Sequence, residues 1–315
     1  MTENFLRELL PEEPLQKPPS LPFFHTCSGK VRELYDTDAG YLILSTDRIS
    51  AFDVILPSGI PGKGILLNQV SLWWFSQMEP IVNHHLVEDH QQKLEQLLGD
   101  HPHLIPRCML VRKLKPLPLE AIVRGYLAGS AWKEYEKTGR VQDHSLPPGM
   151  QPNEQFPQPL FTPSTKCAHG HDELISEAQA QKRMGSESFE KVKEFSLRVY
   201  TRASEIARLG GLILADSKFE YGEDAEGNLF IIDELLTPDS SRYWPADDYA
   251  IGATLHAFDK QYVRDYLQQI DWNKSDPAPV LPTEVVEQTR ERYLSAILKC
   301  TSYETTEETP PSTIG

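Results

Sequence analysis

Cysteine is scarce in this 315-residue sequence: Cys27, Cys108, Cys167 and Cys300 lie far apart and form no C-x-x-C pair. That spacing excludes a disulfide framework and a zinc module of paired cysteines, and it fits a reducing compartment. No apolar run approaches the ~18–20 residues that cross a bilayer. The first ten residues interleave Glu3, Arg7 and Glu8 with apolar neighbours, unlike the apolar core of a signal peptide. A short surface helix is expected there, in a soluble, cytoplasmic protein with no membrane partner. Positive charge is also in deficit, because 31 Lys and Arg against 46 Asp and Glu leave a net charge of −15. Non-specific binding to nucleic acid is thereby excluded, and any anionic partner must be met by a local basic site. Neither G-x-x-x-x-G-K-[ST] nor G-x-G-x-x-G occurs, which removes a P-loop and a dinucleotide fold. No G-x-S-x-G elbow occurs either, so a covalent enzyme intermediate has no support.

Proline, by contrast, is abundant. Its 25 residues are about 8% of the chain against an average near 5%, so many connections should be extended and stiff. Apolar residues at 39% and charged residues at 24% are globular proportions, sufficient for a sizeable core.

Gly29–Tyr35 alternates apolar and polar residues, and Tyr41–Leu44 follows a turn at Asp36–Gly40, which predicts a β-hairpin. Asn68–Met78 carries apolar residues at helical spacing. Strands are expected at Met109–Leu114 and Leu119–Arg124, around a Pro116-Leu-Pro118 hinge, with a helix near Trp132–Lys137. The six prolines of Val141–Pro163 predict a loop that acts as a cover. Helices follow at about 173–184 and 186–209, then a buried strand at Gly211–Asp216. A second hairpin spans Glu220–Glu234, with carboxylates at its ends. Helices near Thr254–Gln268 and Thr283–Lys299, the latter capped by Thr283, precede a polar tail from Tyr303 expected to be disordered. This organisation suggests a β-rich lobe over 1–116, an α+β lobe carrying the substrate site over 117–270, and a C-terminal helix and tail over 271–315.

Several clusters could carry chemistry, and each has a plainer alternative. Ser28-Gly29-Lys30-Val31-Arg32 could let backbone amides approach a phosphate, with Lys30 and Arg32 on one side of a strand; a solvated strand is the alternative. Asp216, Lys218 and Glu220 share one strand face, with Asp233 and Glu234 on its partner. Carboxylates at that density repel unless a cation such as Mg²⁺ binds, although a salt-bridged hairpin edge accounts for the same pattern. Arg124 together with Gly129-Ser130 at a helix start could hold an anion or merely cap the helix. Thr237-Pro-Asp-Ser-Ser-Arg242 suits a phosphate ester or a capped turn. Cys167-Ala-His169-Gly-His171-Asp-Glu173 lacks a second ligand pair at zinc spacing, and Trp73-Trp74 reads as core.

Together these segments resemble the SAICAR synthetases, the purine-biosynthesis ligases, in their longer yeast-like single-function form. The resemblance covers roughly residues 20–270. It is carried by Gly29–Tyr35, Ser45-Thr-Asp-Arg-Ile-Ser-Ala-Phe-Asp-Val54, Pro61–Leu67, Ile122–Tyr135 and Phe161-Thr-Pro-Ser-Thr-Lys166. The most specific carriers are Ala215-Asp-Ser-Lys-Phe-Glu-Tyr-Gly222 and Asp233-Glu-Leu-Leu-Thr-Pro-Asp-Ser-Ser-Arg-Tyr-Trp244. One departure falls at Cys167–Glu173, which is a residue shorter than the family pattern.

The resemblance implies a two-lobe, kinase-like α+β fold with antiparallel sheets around an ATP cleft. The implied reaction joins carboxyaminoimidazole ribotide (CAIR) to L-aspartate using ATP, through an acyl phosphate. By motif position, Gly29, Lys30 and Arg32 would meet the ATP phosphates. Lys113 and Leu114 at the hinge, Glu120, Lys218 and Glu234 would complete the nucleotide site. Glu220 and Asp233 would bind Mg²⁺, and Lys30, Asp216 and Lys218 would act in catalysis. Arg124, Ser130 and Arg242 would hold the phosphate end of CAIR, with Ser50, Asp53, Lys63, Ser164, Lys166 and Ser241 as further substrate contacts. Lys260 and Arg264, four apart, could present two cations to aspartate or simply form a solvated face. A small-molecule kinase or an inactive nucleotide-binding protein would share many of these features; a monomer is expected.

Overall fold

Alternating burial along Arg32–Thr37 and Gly40–Ser45 turns the first apolar–polar pattern into a hairpin that leans one face on the interior. The computed structural model describes residues 1–166, 173–255, 257–258 and 260–302. In chain order the elements are α1 (Glu3–Leu9), β1 (Phe24–Ser28), β2 (Arg32–Thr37), β3 (Gly40–Ser45), β4 (Ser50–Ala51), β5 (Val54–Ile55), α2 (Lys63–Met78), α3 (His90–Leu97), β6 (Cys108–Val111) and β7 (Lys115–Tyr126). There follow α4 (Gly129–Thr138), β8 (Arg140–Val141), β9 (His144–Ser145), β10 (Gln155–Phe161), β11 (Ser164–Thr165), α5 (Glu177–Met184), α6 (Ser186–Leu209), β12 (Leu212–Glu223), β13 (Leu229–Ile232), β14 (Ser241–Pro245), α7 (Gln261–Gln269) and α8 (Thr283–Thr301).

Two antiparallel sheets dominate. The first runs β1-β2-β3-β6; the second runs β10-β7-β12-β13, with β11 on β7 and β14 on β12. The segment 83–87 stitches them together. Asn83 O accepts from Ile231 N at 2.8 Å and His85 N donates to Ile231 O at 3.2 Å. On its other side Arg112 N donates to His85 O at 2.8 Å and Val87 N to Leu110 O at 3.1 Å. Backbone groups of both sheets are thus satisfied through one extended segment, as buried amides require.

Helices cover the face of the second sheet away from the site. In α6, Phe189, Val192, Ser196, Val199, Tyr200, Ala203 and Ile206 are buried at three- and four-residue spacing, the stripe expected of a helix packed on a sheet. They meet Leu119, Ala121 and Val123 of β7 and Leu214, Phe219 and Tyr221 of β12 in one core, which also takes Leu66, Val70, Trp74 and Phe75 of α2 and Tyr293, Leu294 and Ile297 of α8. Each large apolar side chain so buried stabilises the fold by roughly 1.5–3 kcal/mol relative to exposure.

Some expectations need correction. The stretch 141–163 is more than a cover: it contains β9 and β10, and β10 pairs with β7 at the sheet edge. Its Pro157 and Pro159 fall where the register jumps between Gln155 and Leu160, since proline cannot donate to a ladder and is confined to edges and irregularities. Helix α2 begins at Lys63, five residues before Asn68, behind a left-handed Gly62. The predicted hinge prolines Pro116 and Pro118 lie within β7. Pro282, not Thr283, occupies the N-cap of α8, and α7 begins only at Gln261. Cys167–Asp172 and the tail from Tyr303 lie outside the described residues.

Candidate active site

Register explains why charged residues converge. Across β12 and β7, Asp216 lies opposite Arg124, Lys218 opposite Ile122 and Glu220 opposite Glu120. On the other side of β12, Asp216 lies opposite Arg242 of β14. Directly opposed residues share a face, so Glu120, Arg124, Asp216, Lys218, Glu220 and Arg242 line one surface. The alternate residues Ala121, Val123 and Phe219 enter the core. The four-residue step from Asp216 to Glu220 spans about 13 Å of strand, giving the surface two distinct ends.

Arginine dominates the first end. Arg124 Nη1 and Arg242 Nη1 lie 3.8 and 3.4 Å from Asp216 Oδ2, an oxygen that is buried without a hydrogen-bond partner. Arg124 is fixed through Nε to Thr162 Oγ1 at 3.0 Å and through Nη2 to Ser130 Oγ at 3.3 Å. Burial lowers its pKa, Asp216 offsets part of this, and neighbouring Arg242 adds to the lowering; the pair would therefore gain from an added anion. Gly129 has φ +57°, and a Cβ on it would come within 2.7 Å of Arg242 Nη1, so glycine lets this guanidinium lie against the start of α4. Behind the surface Ser241 Oγ and Ser217 Oγ are 2.9 Å apart and buried.

Lysine and carboxylates alternate at the other end. Lys218 Nζ bonds the Glu120 carboxylate and lies 3.7 Å from Glu220 Oε1. Glu220 also receives Lys166 from the strand-end loop after β11, and Ser164 Oγ donates to Glu120 Oε2 at 3.3 Å. From the first sheet Arg32 bonds Asp233 and places Nη2 2.7 Å from Glu234 Oε1. Asp233 directly follows β13 in a left-handed conformation, φ +67°. Burial raises the Asp233 pKa, but Arg32, Lys166 and Lys218 outweigh it and bring it down to about 2. Burial likewise lowers the Lys218 pKa, yet Glu220 and Glu120 reverse this and raise it above the usual lysine value. Both groups therefore stay charged at neutral pH.

The remaining candidates are more dispersed. Lys30 and Arg32 do not share a strand face as expected. Lys30 lies in the turn between β1 and β2 and bonds Asp53, whereas Arg32 opens β2 and reaches Asp233. Ser50 belongs to the small β4–β5 pair just before Asp53. Lys113 and Leu114 fall in the connection from β6 to β7, with Lys113 exposed and bonded to Asp36. Lys63 is fully buried and donates to Asp239 Oδ2 at 2.7 Å, while Lys260 is 2.9 Å from the same oxygen. Lys260 is the N-cap of α7 and Arg264 N donates to Lys260 O at 3.0 Å, which sets the two residues one helical turn apart, with the Lys260 ammonium engaged by Asp239. Charge spacing alone did not single out Arg48, Glu33 and Asp239, although all three lie inside the motif segments quoted above.

Paired guanidinium groups at one end of a sheet face, with lysines and ionised carboxylates at the other, characterise an enzyme of phosphorylated, anionic substrates. The SAICAR synthetase family model matches residues 25–279, and the chain belongs to that family. It is 49% identical over 294 residues to a phosphoribosylaminoimidazole-succinocarboxamide synthase of Xanthomonas campestris pv. campestris (strain B100), covering 89% of this chain and 93% of that one. With the corresponding synthase of Thermodesulfovibrio yellowstonii it shares 49% identity over 266 residues, covering 84% and 91%. SAICAR synthase from Saccharomyces cerevisiae, solved complexed with SAICAR, superposes with a TM-score of 0.82 at 39% identity over 92% of this chain and 99% of that one. A type-2 SAICAR synthetase in complex with ADP has the same fold, with a TM-score of 0.64 at 24% identity.

Proposed function

We infer that this chain is an ATP-dependent carbon–nitrogen ligase that condenses CAIR with L-aspartate to give SAICAR, ADP and phosphate in purine biosynthesis. The observation that carries the reading is the two-ended sheet face of a SAICAR synthetase family member: Arg124 and Arg242 lie opposite Asp216, about 7 Å along the strand from Lys218 and about 13 Å from Glu220, with Ser130 beside the arginines and Asp233 just after Ile232, the residue opposite Glu220. The arginine end suits the phosphate of CAIR, because guanidinium groups bind phosphate in a bidentate fork. The lysine–carboxylate end suits the triphosphate of ATP.

A carboxylate is a poor electrophile. A CAIR carboxylate oxygen attacks the γ-phosphorus, ADP leaves, and the acyl phosphate so formed is attacked at its carbonyl carbon by the aspartate amine, which loses a proton as phosphate departs. Such transfer needs positioning and charge neutralisation more than a protein nucleophile. Lys218, held charged by Glu120 and Glu220, neutralises the transferring phosphoryl group, and Lys30 and Lys166 approach from the flanking loops. Asp216 keeps the two arginines in place for the substrate.

Glu220 and Asp233 fit Mg²⁺: both are hard oxygen donors beside the phosphate end, and Asp233 is ionised down to about pH 2. Mg²⁺ commonly takes one or two protein carboxylates and completes its shell with waters and substrate phosphates. When bound, the ion would screen the phosphate charge. We further propose a cytosolic monomer; no described helix is long and apolar enough to cross a membrane.

The direct test is ADP release with ATP, Mg²⁺, CAIR and L-aspartate, omitting each in turn. Release that requires all four supports the ligase. Release with CAIR but without aspartate, yielding a stable phosphorylated product, would identify a small-molecule kinase instead.

A further inference from the structure

Arg48 lies behind the Gly29–Arg32 turn and spends all five guanidinium N–H groups on it and its surroundings. Nε donates to Lys30 O at 2.9 Å, and Nη2 donates to Gly29 O at 2.9 Å and to Arg32 O at 3.4 Å. Nη1 donates to Gln16 O at 3.0 Å and to Glu33 Oε1 at 2.5 Å. The remaining carbonyl of the turn, Val31 O, accepts from Thr46 N at 2.9 Å and Thr46 Oγ1 at 2.8 Å. Every carbonyl from Gly29 to Arg32 is therefore occupied by Arg48, Thr46 or, for Arg32, also Gly29 N at 2.7 Å. The backbone N–H groups of Lys30 and Val31, by contrast, make no hydrogen bond among the described residues.

This asymmetry has an electrostatic consequence. A turn can approach a polyphosphate only if its carbonyl dipoles are neutralised elsewhere and its amides are left to donate. The clamp is itself anchored. Glu33 has a fully buried side chain and accepts on Oε2 from Ser28 Oγ at 2.5 Å and from His25 Nε2 at 2.8 Å, leaving Oε1 to Arg48. Lysine could not replace Arg48, because a point ammonium with three donors cannot serve five acceptors spread over 16, 29, 30, 32 and 33.

We propose that Arg48, backed by Glu33 and Thr46, is a positioning residue for the polyphosphate of the nucleotide: it fixes the Gly29–Arg32 turn with its carbonyls engaged and the Lys30 and Val31 amides available to phosphate oxygens. The inference rests on the ATP-dependent reading above. It adds that the reading of phosphates by this turn depends on a side chain that touches none of them.

The test compares ATP with adenosine as titrants of the full chain in a calorimeter, in parallel with ADP release. Arg48→Lys should weaken ATP by about tenfold, which corresponds to about 1.4 kcal/mol. Adenosine affinity and the KM values for CAIR and aspartate should remain within about twofold of the parent. Thr46→Val, nearly isosteric, should weaken ATP by a few-fold in the same selective way. The proposal is overturned if Arg48→Lys binds ATP like the parent, or if adenosine weakens as much as ATP, which would indicate general loosening of the lobe. Should Arg48→Lys fail to fold, a folded Thr46→Val chain with parental ATP affinity overturns it equally. If the parent chain itself shows no ATP binding and no substrate-dependent ADP release, the ligase reading has failed, an outcome distinct from any of these.

Discussion

Arg32 at the start of β2 bonds Asp233, the residue after β13, and with its other terminal nitrogen meets Glu234, so one guanidinium ties the two sheets together at the lysine–carboxylate end of the site. Around it, Lys30, Arg32, Lys166, Lys218, Arg124 and Arg242 face Asp53, Asp233, Glu234, Glu120, Glu220 and Asp216. Six cations against six carboxylates make the site close to neutral, although the whole chain carries −15. Anionic substrates would therefore compete with built-in carboxylates for each cation, and the divalent ion proposed above, if held by Asp233 and Glu220, would free Arg32 and Lys166 for phosphate.

This competition makes Asp233 the carboxylate whose charge matters most. Asp233→Asn retains size and keeps one oxygen for Arg32 but removes the charge. We expect ADP release to fall by about 10²-fold or more, with the thermal midpoint within a few degrees of the parent. An Asn variant that retains more than a tenth of parental turnover contradicts the role assigned to this residue.

The same pair predicts an acid limb of stability. Asp233 has its folded pKa brought down to about 2, below the ~3.9 of a free aspartate. A depressed carboxylate contributes stability that is complete above the unfolded pKa and lost as pH falls through the folded one. Urea midpoints should therefore drop between about pH 4 and pH 2, and this part of the slope should be shallower in Asp233→Asn. Equal slopes in both chains would show that Arg32 does not hold Asp233 as described.

At the arginine end, Gly129 offers a probe that neither adds nor removes a charge. Its φ of +57° disfavours any Cβ, and the added methyl carbon would meet Arg242 Nη1 at 2.7 Å and Nη2 at 2.8 Å. Gly129→Ala should displace that guanidinium at a cost of about 1–3 kcal/mol. We expect the KM for CAIR to rise by about tenfold or more, with the KM for ATP unchanged. Steady-state kinetics with each substrate varied separately check this, and equal rises in both would place Arg242 elsewhere in the reaction.

The parts of this site that could be read from the sequence were those with a local period. Asp216, Lys218 and Glu220 announce a shared face because side chains alternate along a strand, and the Glu220–Glu234 hairpin announces itself through its acidic, glycine-containing turn. The segment 83–87 has no such signature: Asn83-His-His-Leu-Val87 joins two sheets through isolated backbone bridges to Ile231 and Val111, which any side chains would permit. Proline marked 141–163 as irregular but could not show that Pro157 and Pro159 lie on a sheet edge. Buried charges were hardest of all. Glu33, Asp47, Lys63 and Asp239 look like solvated residues until long-range partners are known, and Lys63 and Asp239 are 176 residues apart in sequence.

That last pair supports a prediction about stability that is independent of catalysis. Asp239 accepts from Lys63 Nζ at 2.7 Å and Tyr293 Oη at 2.5 Å, with Lys260 Nζ at 2.9 Å. It thereby ties the starts of α2 and α7 and the body of α8 to the loop before Arg242. Removing one partner of a buried pair leaves the other uncompensated, at a cost of about 3–5 kcal/mol, so Asp239→Asn should be among the most destabilising single changes in the chain. The pH dependence identifies the cause. Burial already lowers the Lys63 pKa despite the opposing pull of Asp239, and without that carboxylate it falls further. The unfolded chain then binds more protons than the folded one near neutrality, so the stability of the variant should rise with pH. Denaturant midpoints of parent and Asp239→Asn should therefore converge between about pH 7 and pH 9, whereas a constant gap would mean that the loss is one of packing rather than of an unpaired ammonium.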